Sequence, residues 1–161
     1  MLRNQMFVNL LKSISHNIGV VIVGFIFAFI STRIDLFLGI KSFESLLTVV
    51  LGSLLLTIGF LLRLWATFYF YQLKMGVIKL APQNKLITSG PFRYSRNPLY
   101  LGGNVFIFLG VVLFLGSSVG LLLTAINIVL VDFMIKREER QLEKSFGEEW
   151  LSYKKKVRRW L

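Results

Sequence analysis

Long apolar runs, broken by short polar segments, set the expected architecture of this chain. The first run covers about 18–30 and can extend to Ile40, although Arg33 and Asp35 interrupt the extension. A second begins near Ser45, stays apolar to Leu62, and continues through Arg63 into the aromatic group Trp65, Phe68, Tyr69, Phe70 and Tyr71. A third covers about 99–115 and a fourth about 119–135. Each approaches the roughly 20 apolar residues that carry a helix across a bilayer. Backbone in hydrocarbon must bond to itself, so helices are the expected spanning form. The runs do not alternate, which excludes a transmembrane barrel. The expected fold is all-α: a single membrane domain, 1–161, with spans at about 18–40, 45–71, 99–115 and 119–135.

The segments between the runs differ in character. Residues 73–98 carry Lys74, Lys79, Lys85, Arg93 and Arg96 with no acidic residue, together with Pro82, Pro91 and Pro98. This long connection cannot be membrane helix, and long connections in compact proteins tend to be functional or disordered. Gly116-Ser117-Ser118 separates the third and fourth runs, predicting a tight antiparallel hairpin. The tail, 136–161, is highly charged. Leu142, Phe146, Trp150 and Tyr153 recur there at three- and four-residue spacing, predicting an interfacial helix with one apolar stripe. Gly147 weakens that helix.

Charge then supplies an orientation. The chain has 19 Lys and Arg against 8 Asp and Glu, a formal net charge of +11. Arg3 and Lys12 precede the first span, five bases lie in 73–98, and nine lie in the tail, whereas the opposite side carries Arg33 and Lys41. Four spans with both termini in the cytoplasm place every basic cluster on one side, where it meets anionic lipid. The apolar start behind Arg3 and Lys12 has no small-residue cleavage pattern after it, so it reads as a retained span rather than a signal peptide. Mean hydropathy is +0.66, and the aromatics lie in the apolar runs rather than among the charges, which argues against nucleic acid as a partner. The bilayer and a lipophilic small molecule or lipidated substrate are the expected partners. Without cysteine there are no disulfides, thiolate nucleophiles or iron–sulfur ligands. His16 is the only histidine, so no histidine metal cluster forms and no metal is expected.

Candidate chemistry gathers at both ends of the predicted hairpin, which returns to its starting side. The entering segment is Gly90-Pro91-Phe92-Arg93-Tyr94-Ser95-Arg96-Asn97-Pro98-Leu99-Tyr100-Leu101-Gly102. Pro98 suits a first helical turn, and Arg93 and Arg96 suit a carboxylate or phosphate. Tyr100, Gly103 and Asn104 share a helix face, while Gly102 and Gly103 permit close helix packing or close ligand approach. The leaving segment carries Glu138 and Glu139. Adjacent acids among Lys136, Arg137 and Arg140 also describe an ordinary solvated helix face. At about 100° per residue, however, Asp132 shares a face with Glu139, and Asn127 with Glu138. Asp132 is either part of this polar stripe or simply a partner of Lys136 one turn later.

These residues resemble a known family. Gly-Pro-Phe-Arg-Tyr-x-Arg-Asn-Pro-x-Tyr-x-Gly, then Glu-Glu-x-x-Leu, then Phe-Gly-Glu-Glu-Trp-x-x-Tyr-x-x-x-Val-x-Arg, over about 86–159, is similar to the isoprenylcysteine carboxyl methyltransferases. That superfamily of membrane methyltransferases also includes phospholipid N-methyltransferases. The resemblance implies an S-adenosylmethionine site lined by Arg96, Asn97, Pro98, Tyr100, Gly102, Glu138 and Glu139, with Arg93 and Gly103 as neighbouring cofactor candidates. A lipophilic acceptor is expected to enter between helices, with Arg63, Asn104 and Asp132 as candidate contacts; Arg63 can also be a snorkelling arginine at a helix end. Methyl transfer needs alignment and desolvation rather than a covalent nucleophile, so no catalytic residue is assigned. The absence of an evident base leans towards a carboxylate acceptor over an amine. Asn97 stands where the family has histidine, Phe92 and Trp150 where it has tyrosines, and Leu161 where a final proline is common. Asn97 keeps open a non-catalytic lipid- or partner-binding relative of the same fold. Membrane sterol reductases, which use NADPH, look similar in their C-terminal portion but carry additional spans.

Overall fold

The computed structural model describes residues 2–75 and 85–161, and among these there is helix and turn but no strand. Lys79 and Pro82 of the long connection lie outside the described residues. The helices are α1 (Leu2–Phe37), α2 (Leu46–Gln72), α3 (Pro98–Leu115), α4 (Ser118–Phe146) and α5 (Glu148–Lys156), with a 3₁₀ turn at Gly90–Arg93. The first four are long and apolar enough to cross a membrane.

Each end has a local cause. Gly39 adopts φ +70° after α1, and the Ile40 N–H reaches back to the Asp35 carbonyl at 2.8 Å, a Schellman closure. Ser45 and Thr48 cap α2 reciprocally, at 3.2 and 2.9 Å. Pro98 opens α3 where its missing N–H has no intrahelical partner to lose. Gly116 turns α3 out with φ +63°, and the Ser117 hydroxyl accepts from the Gly120 N–H at 2.9 Å to start α4.

Two boundaries differ from the sequence expectation. α1 begins at Leu2 instead of near residue 18, because its polar residues Asn9, Ser13 and Asn17 form a buried stripe facing α2. Ser13 hydrogen-bonds Thr67, and Asn17 donates to Thr67 at 2.8 Å. The fourth helix does not stop at Ile135 but runs on to Phe146, since the charged residues beyond 135 are good helix formers. The break falls at Gly147, with φ +49°.

α3 is the inner helix of the bundle, and its main neighbour is α2 rather than its hairpin partner α4. Glycines set that crossing. A Cβ on Gly59 would lie 2.6 Å from the Gly102 carbonyl oxygen, and one on Gly52 would lie 2.6 Å from that of Gly110. Such backbone contact is how helices associate in lipid, where no hydrophobic drive separates them from solvent. Within α3, residues Leu101–Ile107 wind as π-helix, a widening that often accompanies a functional site. Towards the opposite end of α1, Ala28, Val111 and Val112 are fully buried with Phe27, Leu56, Leu115 and Leu121 packed around them. Asp35 is buried there too, accepting from the Ser117 hydroxyl at 2.5 Å and the Val119 N–H at 3.0 Å.

Candidate functional site

A cavity of about 440 Å³ lies where the 3₁₀ turn, the start of α3, the last turns of α4, and α5 meet α1 and α2. Its polar wall is built from the two segments that the sequence places at the hairpin ends. Arg96 Nη2 pairs with Glu139 Oε1 at 2.9 Å, and the Tyr100 hydroxyl donates to Glu138 Oε1 at 2.7 Å. The arginine-bearing turn and the neighbouring acids therefore share one mouth. Asn97, Pro98 and Asn104 line the same cavity.

The two acids are not equivalent. Glu139 is 5% exposed and held by two arginines, since Arg159 Nη2 also reaches its Oε2 at 2.8 Å. Arg159 bridges on to Asp132 at 3.2 Å, and Asp132 pairs with Lys136 at 2.8 Å. The hydrogen bond to Glu139 raises the Arg159 pKa above its ordinary value. Glu139 is thus the centre of a charge cluster that the chain completes by itself. Glu138 is half-buried on the cavity wall.

The last residues form a strap across the entering segment. The Arg96 N–H donates to the Arg158 carbonyl at 3.0 Å; the Ser95 hydroxyl and the Asn97 side-chain amide both donate to the Arg159 carbonyl at 3.2 Å. Arg96 Nη1 donates to the Lys154 carbonyl at 3.0 Å, and the Tyr153 hydroxyl to that of Phe92 at 2.7 Å. Burial pushes the Tyr153 hydroxyl above its usual pKa range, so it stays a donor. Trp150 stacks under the Arg96 guanidinium, 5.7 Å from carbon to ring centroid. Two buried donors on the cavity wall, Arg96 Nε and Trp150 Nε1, find no hydrogen-bond partner among the described residues.

Several candidates sit elsewhere than the sequence suggested. Arg93 is exposed and off the cavity, because the 3₁₀ turn points it outward. Gly102 and Gly103 face α2 and are not on the cavity wall; their missing side chains make room for Arg63, whose Nη1 lies 2.7 Å from where a Gly103 Cβ would be. Asp132 is committed to Lys136 and Arg159. Arg63 does not snorkel: it is buried, and its guanidinium bonds to Asn17, the Leu99 carbonyl and His16. His16, isolated in the sequence, lines the cavity through this contact. The signal that would have found it is helical spacing, since Asn9, Ser13 and His16-Asn17 recur every three to four residues ahead of the apolar run.

A helical membrane bundle with a half-apolar, charge-lined cavity at one end is the class of protein that fold and site define. A family model described as phospholipid methyltransferase matches residues 47–149. The chain belongs to that family of membrane methyltransferases, and the family implies a methyl donor. The chain is also similar to an uncharacterised protein of Haemophilus influenzae, 48% identical over 56 residues that make up 34% of this chain and 89% of that relative. No solved structure matches the chain.

Proposed function

We propose that the protein is an S-adenosylmethionine-dependent methyltransferase acting on a lipophilic acceptor at the cytoplasmic membrane surface, with both termini cytoplasmic. The observation that carries this reading is the pair of unsatisfied donors, Arg96 Nε and Trp150 Nε1, on the wall that also presents Glu138. A buried donor without a partner costs about 1–3 kcal/mol, and a ligand with a carboxylate and ring nitrogens removes that cost. A carboxylate oxygen has room for more than one donor, so Glu138 can accept from an ammonium while keeping Tyr100. Phe92, Trp150 and Tyr153 supply apolar wall and aromatic faces for a ring and a cation. The residues present therefore fit the cofactor, with Arg96, Asn97, Pro98, Tyr100, Glu138 and Trp150 as its proposed contacts. Glu139 holds Arg96 in place.

S-adenosylmethionine held by Arg96, Asn97, Tyr100 and Glu138 would supply a methyl group already activated on sulfur, so no covalent nucleophile of the chain is needed. The chain's part is alignment and exclusion of water. Arg63, Asn104, His16 and Val20 line the same cavity, and Met134, which also lines it, is 53% exposed on the bundle surface. An acceptor with an apolar tail has a route there from lipid. The acceptor atom is either a carboxylate oxygen, as in isoprenylcysteine, or a phospholipid amine nitrogen after proton loss.

Calorimetry on detergent-purified protein tests the cofactor: S-adenosylhomocysteine binds and NADPH does not. A folded sample that fails to bind S-adenosylhomocysteine removes the enzyme reading and leaves a non-catalytic relative. Transfer of labelled methyl into membrane lipid extract then separates the acceptors. A methyl ester releases its label in alkali, whereas an N-methyl group retains it.

A further inference from the structure

The wall that α1 and α2 give to the cavity carries a positive charge with no carboxylate beside it. Arg63 is 9% exposed and makes no ion pair among the described residues. Its acceptors are all neutral. Nε–H donates to Asn17 Oδ1 at 2.9 Å, Nη1–H to the Leu99 carbonyl at 2.9 Å, and Nη2–H to His16 Nε2 at 3.1 Å. A guanidinium has five N–H donors, so two remain for a ligand. A buried cation lacking a counter-charge is expensive, and a cavity that keeps one is prepared for an anion.

The surroundings are arranged to hold that cation in place. Asn17 spends its own N–H groups on the Ser13 carbonyl and Thr67 Oγ1, at 2.7 and 2.8 Å, which leaves its oxygen to Arg63. Gly102 and Gly103 remove the two side chains that would collide with Arg63, in the π-helical stretch where α3 widens. Arginine only donates, so His16 Nε2 must accept, and the imidazole proton is assigned to Nδ1. His16 is then a neutral ring with a further N–H for a ligand.

We infer that Arg63 and His16 form the seat for an anion carried by the lipid acceptor, a phosphate or a carboxylate. The inference rests on the methyl-transfer reading above and deepens it: the acceptor is an anionic amphiphile whose charge docks on α1 and α2 while its tail lies towards Val20 and Met134. His16 precedes the matched family region, so this half of the seat is a feature of this chain's first helix.

Full-length protein in neutral detergent micelles is titrated with three lipids of equal acyl length: phosphatidate, a fatty carboxylate and diacylglycerol. One anionic lipid should bind at least about tenfold tighter than diacylglycerol, as charge-assisted hydrogen bonds warrant, and which one it is identifies the anion. Arg63→Gln and His16→Ala should each erase most of that preference, whereas His16→Gln, whose amide oxygen reaches the Nε2 position to accept from Arg63 while its N–H groups donate, should retain it. S-adenosylhomocysteine affinity should not change in the His16 variants. Equal affinity of the unaltered protein for charged and neutral lipids overturns the seat. So does an undiminished preference in His16→Ala, a half-buried position whose removal leaves the fold intact even where Arg63→Gln does not. Failure of the unaltered protein to bind S-adenosylhomocysteine would instead sink the methyl-transfer reading and leave an anion preference standing.

Discussion

Glu138 and Glu139 are adjacent in sequence and lie on the same cavity, yet replacing each by glutamine should have opposite consequences. Glu139 is buried with Arg96, at side-chain exposures of 7% and 8%, so neither charge has water to fall back on. Removing one partner of a buried pair costs about 3–5 kcal/mol, because the other is left uncompensated. Arg159 adds less: its side chain is 28% exposed and it keeps Asp132, so its share is about 1 kcal/mol or below. Glutamine can still accept from one arginine, which places Glu139→Gln near 3 kcal/mol of destabilisation. Glu138→Gln retains an acceptor for Tyr100 and should cost under about 1 kcal/mol. Unfolding in mixed micelles with increasing dodecyl sulfate, followed by tryptophan emission, measures both. Binding of S-adenosylhomocysteine to the folded fraction should then fall at least about tenfold in Glu138→Gln. A Glu139→Gln protein as stable as its parent would refute the claim that Arg96, Glu139 and Arg159 form a structural cluster.

Three other outcomes follow from contacts already described. Gly59→Ala pushes a methyl group to within 2.6 Å of the Gly102 carbonyl oxygen and should cost about 1–3 kcal/mol, whereas Gly19→Ala, whose Cβ meets nothing within 4 Å, should not destabilise; equal unfolding midpoints would contradict the α2–α3 seam. Trp150→Phe removes the unsatisfied indole N–H together with part of a ring that is 1% exposed, so stability should fall by about 1–3 kcal/mol while S-adenosylhomocysteine affinity of the folded fraction drops about threefold to tenfold; unchanged affinity would show that the indole donor does not meet ligand. Because the chain lacks cysteine, Lys41→Cys and Lys155→Cys give clean single labels: an impermeant maleimide outside intact cells should reach the first and not the second, and the reverse would invert the proposed orientation.

What the sequence revealed, and what it hid, divides along physical lines. Hydrophobic runs report burial in lipid, so the four spans are visible, and proline at 91 and 98 with the paired acids marks the two cavity-forming segments. Polar side chains inside a bundle lower local hydropathy without ending a helix. Asn9, Ser13, His16 and Asn17 therefore hid the first half of α1, whereas the helix beyond Ile135 is expected from its apolar stripe and only its continuity with the fourth span is not. The strap at Arg158 and Arg159 works through backbone carbonyls, which leave no trace in side-chain spacing. Gly102 and Gly103 were legible as a place of close approach, but not as the berth of Arg63, because that depends on the partner helix.

Depth in the membrane links the two buried polar levels of the bundle. His16 and Asp35 stand on α1 19 residues apart, about 29 Å at 1.5 Å per residue, close to the roughly 30 Å of bilayer hydrocarbon. Asp35 is used up at its end, where it ties α1 to the start of α4. With Asp35 at one edge of the hydrocarbon, the cavity would lie at the boundary between hydrocarbon and water on the other side. Placed deeper, it would exclude a highly polar cofactor; placed further out, it would lose the acyl tail of the acceptor. The proposed reaction between a water-borne donor and a lipid-borne acceptor would need that boundary, and the spacing of Asp35 from His16 matches it.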